Sequence, residues 1–265
     1  MILNGETFDN ERYATYHAER IQRTVDELAR LGSSDVLEVG GHPWAMTSAL
    51  VDLPAVELCA AVSAEEISQW PDDIGVERKV YELQTDAGNE ASFPVYLANI
   101  ERTRFDIEES PDTVIACEMI EHLIRSPHVM LLNVNRWLSV GGHLIVTTPN
   151  GARFTNPFKV RSPTAGYRAS VYSRHSHVFT MDQLVELIEL SGFRVAGARF
   201  TDDRLPGLAH GLKHKVSRLP GRLPKELFAK GLHVVATKQR NLDRLEAVPS
   251  VYGQQDRWDD IGVPA

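Results

Sequence analysis

Apolar residues near the start of the chain recur at three- and four-residue steps and end at a glycine. Such spacing places them on one face of a helix, and a glycine directly after the last of them is a common helix stop. The pattern therefore predicts a helix from about residue 10 to residue 31. The residues that carry the spacing are Tyr13, Tyr16, Ile21, Val25, Leu28 and Leu31, followed by Gly32.

Short apolar runs bounded by glycine, proline or polar residues follow along the rest of the chain. They predict strands at 35–39, 56–62, 113–117, 143–148, 194–200 and 232–237. Helical patterns at 46–53, 118–138 and 181–190 lie between them, while 64–94 gives no clear assignment. This alternation predicts a doubly wound α/β sheet, in which ligands bind beyond the carboxyl ends of the strands.

Length and composition agree with one large domain that carries a long surface loop. The chain has 265 residues, of which 43% are hydrophobic and 24% charged, which excludes collagen-like and wholly disordered chains. The net charge of −8 repels polyanions, so we expect no nucleic-acid partner. Two cysteines without metal-ligand spacing, and no apparent membrane span or signal peptide, predict a cytoplasmic protein.

The first strand ends in a carboxylate and two glycines, Glu38, Gly40 and Gly41. Backbone amides in such a turn can face a ligand, and the carboxylate can hold a cationic or hydroxyl group. Glycine turns follow strands in every α/β fold, however, so an ordinary structural turn is an equal alternative.

Three later segments are more specific: DTVIACEMIEHL at 112–123, LNVNRWLSVGGHLIVTTPN at 132–150 and HVFTMDQLVELIELSGF at 177–193. In this order they resemble class I S-adenosylmethionine-dependent methyltransferases, in particular metal-assisted O-methyltransferases with an E-x-x-E-H segment. The resemblance covers roughly residues 35–237. It implies a Rossmann-like, seven-stranded, mostly parallel sheet with helices on both faces. The group includes sugar and glycan enzymes, such as the mycobacterial methylmannose-polysaccharide type, and small-RNA 2′-O-methyltransferases.

The resemblance also implies cofactor contacts at strand ends. The first motif departs from the family pattern, because His42 and Trp44 replace its later glycines. The ribose-binding acid of the second strand is missing, and Ser63, Glu65 or Glu66 are its candidate substitutes. The full set of expected cofactor-binding residues is Glu38, Gly40, Gly41, Ser63, Asn99, Ile100, Glu101 and Cys117.

Glu118, Glu121 and His122 stand at positions i, i+3 and i+4, so a helix beginning at Glu118 would place all three on one face. Two carboxylates and an imidazole can hold Mg²⁺ or Mn²⁺ with open positions for acceptor oxygens. We expect His177 to be the fourth ligand, and His175 to be a base or substrate contact. The alternative is that the two glutamates are solvated and His122 caps or packs.

The expected activity is transfer of a methyl group to a hydroxyl of a sugar or oligosaccharide, with His122, His175 and His177 as catalytic residues and adjacent acceptor hydroxyls on the metal. Alternatives are an RNA 3′-end 2′-O-methyltransferase, a small-molecule O-methyltransferase and a non-catalytic cofactor-binding regulator. A homodimer is compatible with the sequence.

The predicted organisation is an N-terminal helical lid at 1–33, the methyltransferase domain at 34–240 and a polar tail at 241–265. The domain would contain an acceptor loop at 151–176 and a basic insert at 203–231.

Overall fold

The computed structural model describes residues 1–63, 75–123, 127–152, 177–201, 229–245 and 247. Four helices lie in these ranges: α1 (Glu11–Leu31), α2 (Ala45–Val51), α3 (Pro127–Trp137) and α4 (Met181–Leu190). Within the same ranges, a 3₁₀ turn spans Ile120–His122. The strands are β1 (Ile2–Leu3), β2 (Glu6–Thr7), β3 (Asp35–Val39), β4 (Glu57–Ser63), β5 (Val76–Gln84), β6 (Glu90–Ala98), β7 (Thr113–Cys117), β8 (His143–Pro149), β9 (Phe193–Thr201) and β10 (Gly231–Lys238).

All ten strands form one sheet in the order β2-β1-β5-β6-β4-β3-β7-β8-β10-β9. The five central strands from β6 to β8 run parallel, and β10 is antiparallel to both of its neighbours. The expected doubly wound α/β architecture is therefore confirmed. The expected seven strands are present from β6 to β9, and three more strands extend the sheet beyond β6.

β6 and the three additional strands come from two segments that sequence patterns did not assign as strands. β5 and β6 form a long antiparallel hairpin within the unassigned stretch 64–94 and just beyond it. β1 pairs with the outer edge of β5, so the first residues of the chain belong to the sheet as well as preceding α1. The N-terminal region is thus more than the helical lid that its spacing predicted.

Apolar side chains cover both faces of the sheet. One core cluster packs β3, β7 and β8 against α3 and α4, and includes Met130, Val134, Leu184 and Ile188. The second packs the opposite face against α1 and α2 through Leu28, Met46 and Leu50. Helices on both faces leave the carboxyl ends of the parallel strands as the edge at which a ligand can bind.

The predicted continuous helix from Glu118 to Leu138 is wrong. Glu118 has a left-handed backbone, with φ 52°, and Met119 has φ −120°, so neither continues a helix. Only the 3₁₀ turn follows, and α3 begins at Pro127. The premise that Glu118, Glu121 and His122 share one helical face therefore fails.

Most of the expected acceptor loop, basic insert and polar tail lies outside the described residues, as do His175, Glu65 and Glu66. In the described part of the chain, no helix is long and apolar enough to cross a membrane.

Candidate active site

Polar side chains gather at the carboxyl ends of the parallel strands. Glu38 and Ser63 lie at the ends of β3 and β4, and Asn99 directly follows β6. Glu118 and Glu121 follow β7, while Thr148 lies near the end of β8. Because these strands are neighbours in the sheet, the side chains form one row along its edge.

The Glu38 carboxyl group is buried beneath α2. Its Oε2 accepts a hydrogen bond from the Thr47 hydroxyl. Burial raises the pKa of Glu38 to about 8, against the opposing effects of that hydrogen bond and the charge of Arg20. At neutral pH this carboxyl is therefore largely protonated, and it can donate as well as accept a hydrogen bond.

Gly40 forms the turn after β3 and cannot be replaced without strain. It has φ +84°, and a Cβ built on it would lie 2.5 Å from Cγ of Met119. A Cβ on Gly41 would lie 2.6 Å from the ring of the buried Trp44. A bulky residue at position 40 would thus disturb the fold itself as well as any ligand bound at this turn.

The other expected cofactor contacts differ in accessibility. Ser63 and Asn99 are buried polar residues, and Asn99 Oδ1 accepts a hydrogen bond from the Glu101 amide at 3.2 Å. Ile100 packs in the first hydrophobic cluster, whereas Glu101 is half-buried. Cys117 is buried with its Sγ 3.8 Å from the Thr24 hydroxyl of α1, and burial raises the pKa of its thiol.

Glu118 is held by contacts on both its backbone and its side chain. Its amide donates to the carbonyl of Thr147 at 2.9 Å and contacts the hydroxyl of the same residue at 3.2 Å. Its Oε2 lies 3.3 Å from Nη1 of Arg20 on α1. A left-handed backbone conformation costs free energy in a residue other than glycine. It persists where surrounding contacts enforce it, often at a functional site.

Glu121 lies on the 3₁₀ turn that follows β7 and is 1% exposed. Its Oε2 accepts a hydrogen bond from the Thr148 hydroxyl at 3.0 Å, and Oε1 is buried with no hydrogen-bond partner among the residues that the structure describes. Burial raises the pKa of Glu121 to about 7, although its hydrogen bonds and the charge of Arg20 oppose the rise. The carboxyl group can therefore exchange a proton near neutral pH.

The two described histidines of the predicted catalytic set lie in different surroundings. His122 is exposed on the 3₁₀ turn. His177 is half-buried, its amide donates to the Glu121 carbonyl at 3.1 Å, and its ring stacks on Phe179 with centroids 5.8 Å apart.

The predicted metal ligands do not converge. Glu118 is directed to Arg20, Glu121 is buried against Thr148, and His122 faces solvent. Within the described ranges, no three His, Cys, Asp or Glu side chains are placed to hold a metal ion. The donor set therefore does not fit the expected Mg²⁺ or Mn²⁺ site.

A family model described as a methyltransferase domain matches residues 13–197, which is more than half of the chain. The chain belongs to this family. It is a class I S-adenosylmethionine-dependent methyltransferase, as the order and spacing of its motifs led us to expect. No curated protein matches it in sequence.

Solved methyltransferases share the fold at low sequence identity. A complex of the Trm112 methyltransferase activator with a methyltransferase from Haloferax volcanii matches with a TM-score of 0.55 and 15% identity, covering 87% of this chain and 95% of that chain. The methyltransferase domain of a bacterial Hen1 protein matches with a TM-score of 0.51 and 14% identity, covering 84% and 99%. Phosphoethanolamine N-methyltransferase 2 of Haemonchus contortus, in complex with S-adenosyl-L-methionine, matches with a TM-score of 0.51 and 13% identity, covering 83% and 53%.

The polar row along the edge suits the chemistry of the methyltransferase's cofactor. Glu38, Ser63 and Asn99 present carboxyl, hydroxyl and amide groups from three adjacent strand ends. S-adenosylmethionine carries an ammonium group, ribose hydroxyls and an adenine amine, each of which can bond to such groups.

Arg20 of α1 was not among the expected site residues. It is 6% exposed, it contacts Glu118, and its charge acts on Glu38 and Glu121. The available signal was its place on the same helical face as Tyr13 and His17, which resembles an ordinary packing face.

Proposed function

We propose that this methyltransferase transfers the methyl group of S-adenosylmethionine to a hydroxyl of a sugar or oligosaccharide, with Glu121 as the proton acceptor. The observation that carries the proposal is the buried Glu121 carboxyl group, which has one oxygen held by Thr148 and the other without a hydrogen-bond partner. A general base is most effective when its pKa lies near the working pH, and the pKa of Glu121 is about 7.

When bound, S-adenosylmethionine supplies an electrophilic methyl group on a sulfonium, which is a good leaving group. Glu121 Oε1 would take the proton of the acceptor hydroxyl as that oxygen receives the methyl group from the bound cofactor. The protonated Glu121 would then release its proton to solvent. Thr148 holds Oε2 by a hydrogen bond, and among the described residues Oε1 has no hydrogen-bond partner.

The cofactor is proposed to lie over β3, β4 and β6, with Glu38 near its amino-acid end. Ser63 would bond the ribose and Asn99 the adenine amine. We expect Ser63→Ala and Asn99→Ala each to weaken S-adenosylhomocysteine binding by about fivefold, since one net hydrogen bond contributes roughly 1 kcal/mol. Titration calorimetry measures this, with the exposed Ser92→Ala as control. Unchanged affinity in both site variants would remove this placement.

Methyl transfer is expected not to require a divalent metal ion. Because the candidate metal ligands do not converge, we expect turnover to persist in excess chelator. Labelled S-adenosylmethionine is incubated with neutral and acidic oligosaccharides, with and without chelator, and the products are mapped by mass spectrometry. Loss of transfer in chelator with recovery on adding Mg²⁺ or Mn²⁺ would restore the metal-assisted mechanism.

A methyl group on nitrogen, or transfer only to an RNA 3′ end in a parallel reaction, would overturn the proposed acceptor.

A further inference from the structure

The outer edge of β5 is covered over only part of its length. β1 pairs with this edge at Leu83 and Gln84. In the part of the chain that the structure describes, no strand pairs with β5 on the same edge from residue 76 to residue 81. This segment is called the open edge of β5 below. An uncovered edge strand is a template on which another strand can pair.

The backbone groups that face outward at the open edge follow from the contact at its end. The amide of Asn4 donates to the Glu82 carbonyl at 2.8 Å, and the Glu82 amide donates to Asn4 Oδ1 at 2.9 Å. Both backbone groups of Glu82 therefore point away from β6. Backbone groups alternate in direction along an antiparallel strand, so every second residue before Glu82 also points outward. These residues are Val76, Arg78 and Val80.

The register of the β5–β6 hairpin agrees with this assignment. Val80 lies opposite Pro94, which has no amide hydrogen to donate. The two residues therefore form a pair that exchanges no backbone hydrogen bonds, and the N–H and C=O groups of Val80 are left for the outer edge.

The side chains of the three outward residues lie on one face of β5 and leave its edge accessible. Val80 is 58% exposed and Val76 is 39% exposed. The Arg78 guanidinium lies over the ring of Tyr96 on β6, and its Nη2 donates to Glu109 at 2.9 Å. Arg78 is thus directed toward β6, and its charge is balanced within the same chain.

The opposite face of this segment carries one charge of each sign. Glu77 and Lys79 flank Arg78 in the chain, and Lys79 Nζ lies 3.2 Å from Glu77 Oε2. In both directions from Arg78, the sequence therefore gives one charged residue and then one valine. The two charged residues have opposite signs, so the segment is complementary to a second copy of itself that runs in the opposite direction.

We infer that the open edge of β5 is the interface of a homodimer, in which two copies pair antiparallel about a two-fold axis at Arg78. This register uses all three outward-facing residues, because Arg78 is the middle one. Val76 of each copy pairs with Val80 of the other, and Glu77 of each copy lies beside Lys79 of the other. Apolar and opposite-charge pairs of this kind stabilise antiparallel strands.

The expected dimer is weak and depends on concentration and salt. Lysine on an edge strand commonly prevents pairing with other chains. In this register, however, each Lys79 lies beside a glutamate, so charge favours the contact. A contact made mainly by five residues of each copy is smaller than a standard protein interface. The inference is independent of the acceptor proposed above, because the open edge takes no part in methyl transfer.

Two charge-reversal variants, Glu77→Lys and Lys79→Glu, test the interface. Each variant places like charges beside each other at both symmetric pairs, so each alone should dimerise at least tenfold more weakly than wild type at low salt. An equimolar mixture restores opposite charges at both pairs and should form a heterodimer about as tightly as wild type dimerises. Sedimentation velocity over a hundredfold range of concentration measures the association, with a fluorescent label on one variant to identify the heterodimer.

Glu6→Lys is the matched control. It makes the same change in net charge as Glu77→Lys, but on the exposed outermost strand β2. Dimerisation of this variant should equal that of wild type. A wild-type protein that is monomeric at every concentration would overturn the inference. Unchanged dimerisation in both β5 variants, or a mixture of the two that does not associate, would also overturn it.

Discussion

Glu121→Gln is expected to lower kcat at pH 8 by at least 10²-fold, while S-adenosylhomocysteine affinity changes little. General-base catalysis contributes about 10²–10⁴-fold to rates, and an amide cannot take the hydroxyl proton. In the wild-type enzyme kcat should rise with pH through about 7, since the reactive form of Glu121 is the carboxylate. Glu121→Gln should lose this rise, which steady-state kinetics across pH 5.5–9 would measure.

A stability measurement separates loss of a base from loss of the fold. The native pKa of Glu121, about 7, lies above its usual 4.5, so the folded state holds a proton that the unfolded state releases between these values. The contribution of Glu121 to stability therefore falls as pH rises from 4.5 to 7. Glu121→Gln should be at least as stable as wild type at pH 8 by urea unfolding. The exposed Glu90→Gln serves as a kinetic control. Wild-type kcat in Glu121→Gln would rule out the proton-acceptor role, and the half-buried His177 would be the next residue to test.

The central strands could be predicted from sequence because burial on both faces makes them continuous apolar runs. β3 and β7 begin and end where their apolar patterns do. The sequence pattern did not assign the β5–β6 hairpin because β5 is mostly exposed or half-buried and carries several charges, so it shows no continuous apolar run. Its signal was the period-two spacing of Phe93, Val95 and Leu97, together with the turn that contains Gly88.

The candidate site was harder to predict because tertiary contacts override local spacing there. The i, i+3, i+4 pattern of Glu118, Glu121 and His122 is a sound helical pattern. The left-handed backbone of Glu118 ends it, and that backbone is held by Thr147 on a neighbouring strand and by Arg20 on a distant helix. Neither partner is visible in the local sequence. Arg20 could not be assigned to the site from sequence for the same reason. Its contribution to the site depends on the carboxylates near it in the folded chain.

Gly40→Ala is expected to lower the free energy of unfolding by about 3 kcal/mol. A left-handed backbone costs a non-glycine residue about 1–2 kcal/mol, and overpacking adds a similar amount. The new Cβ would lie 2.5 Å from Cγ of Met119 and 3.0 Å from its Cβ, so Met119 must move within the core. Because this turn lies beside the proposed cofactor position, S-adenosylhomocysteine affinity should fall in the same variant.

Gly88→Ala is the matched control for this effect. Gly88 has φ +88°, nearly the same as Gly40, but a Cβ there meets nothing within 4 Å. The free energy of unfolding of Gly88→Ala should therefore fall only by the cost of the backbone strain, about 1–2 kcal/mol. Its affinity for the cofactor should not change. Urea unfolding of both variants, with and without S-adenosylhomocysteine, separates backbone strain from the Met119 contact. Equal destabilisation of Gly40→Ala and Gly88→Ala would show that Met119 can move away from the new Cβ without loss of stability. Full cofactor affinity in Gly40→Ala would move the binding site away from the turn after β3.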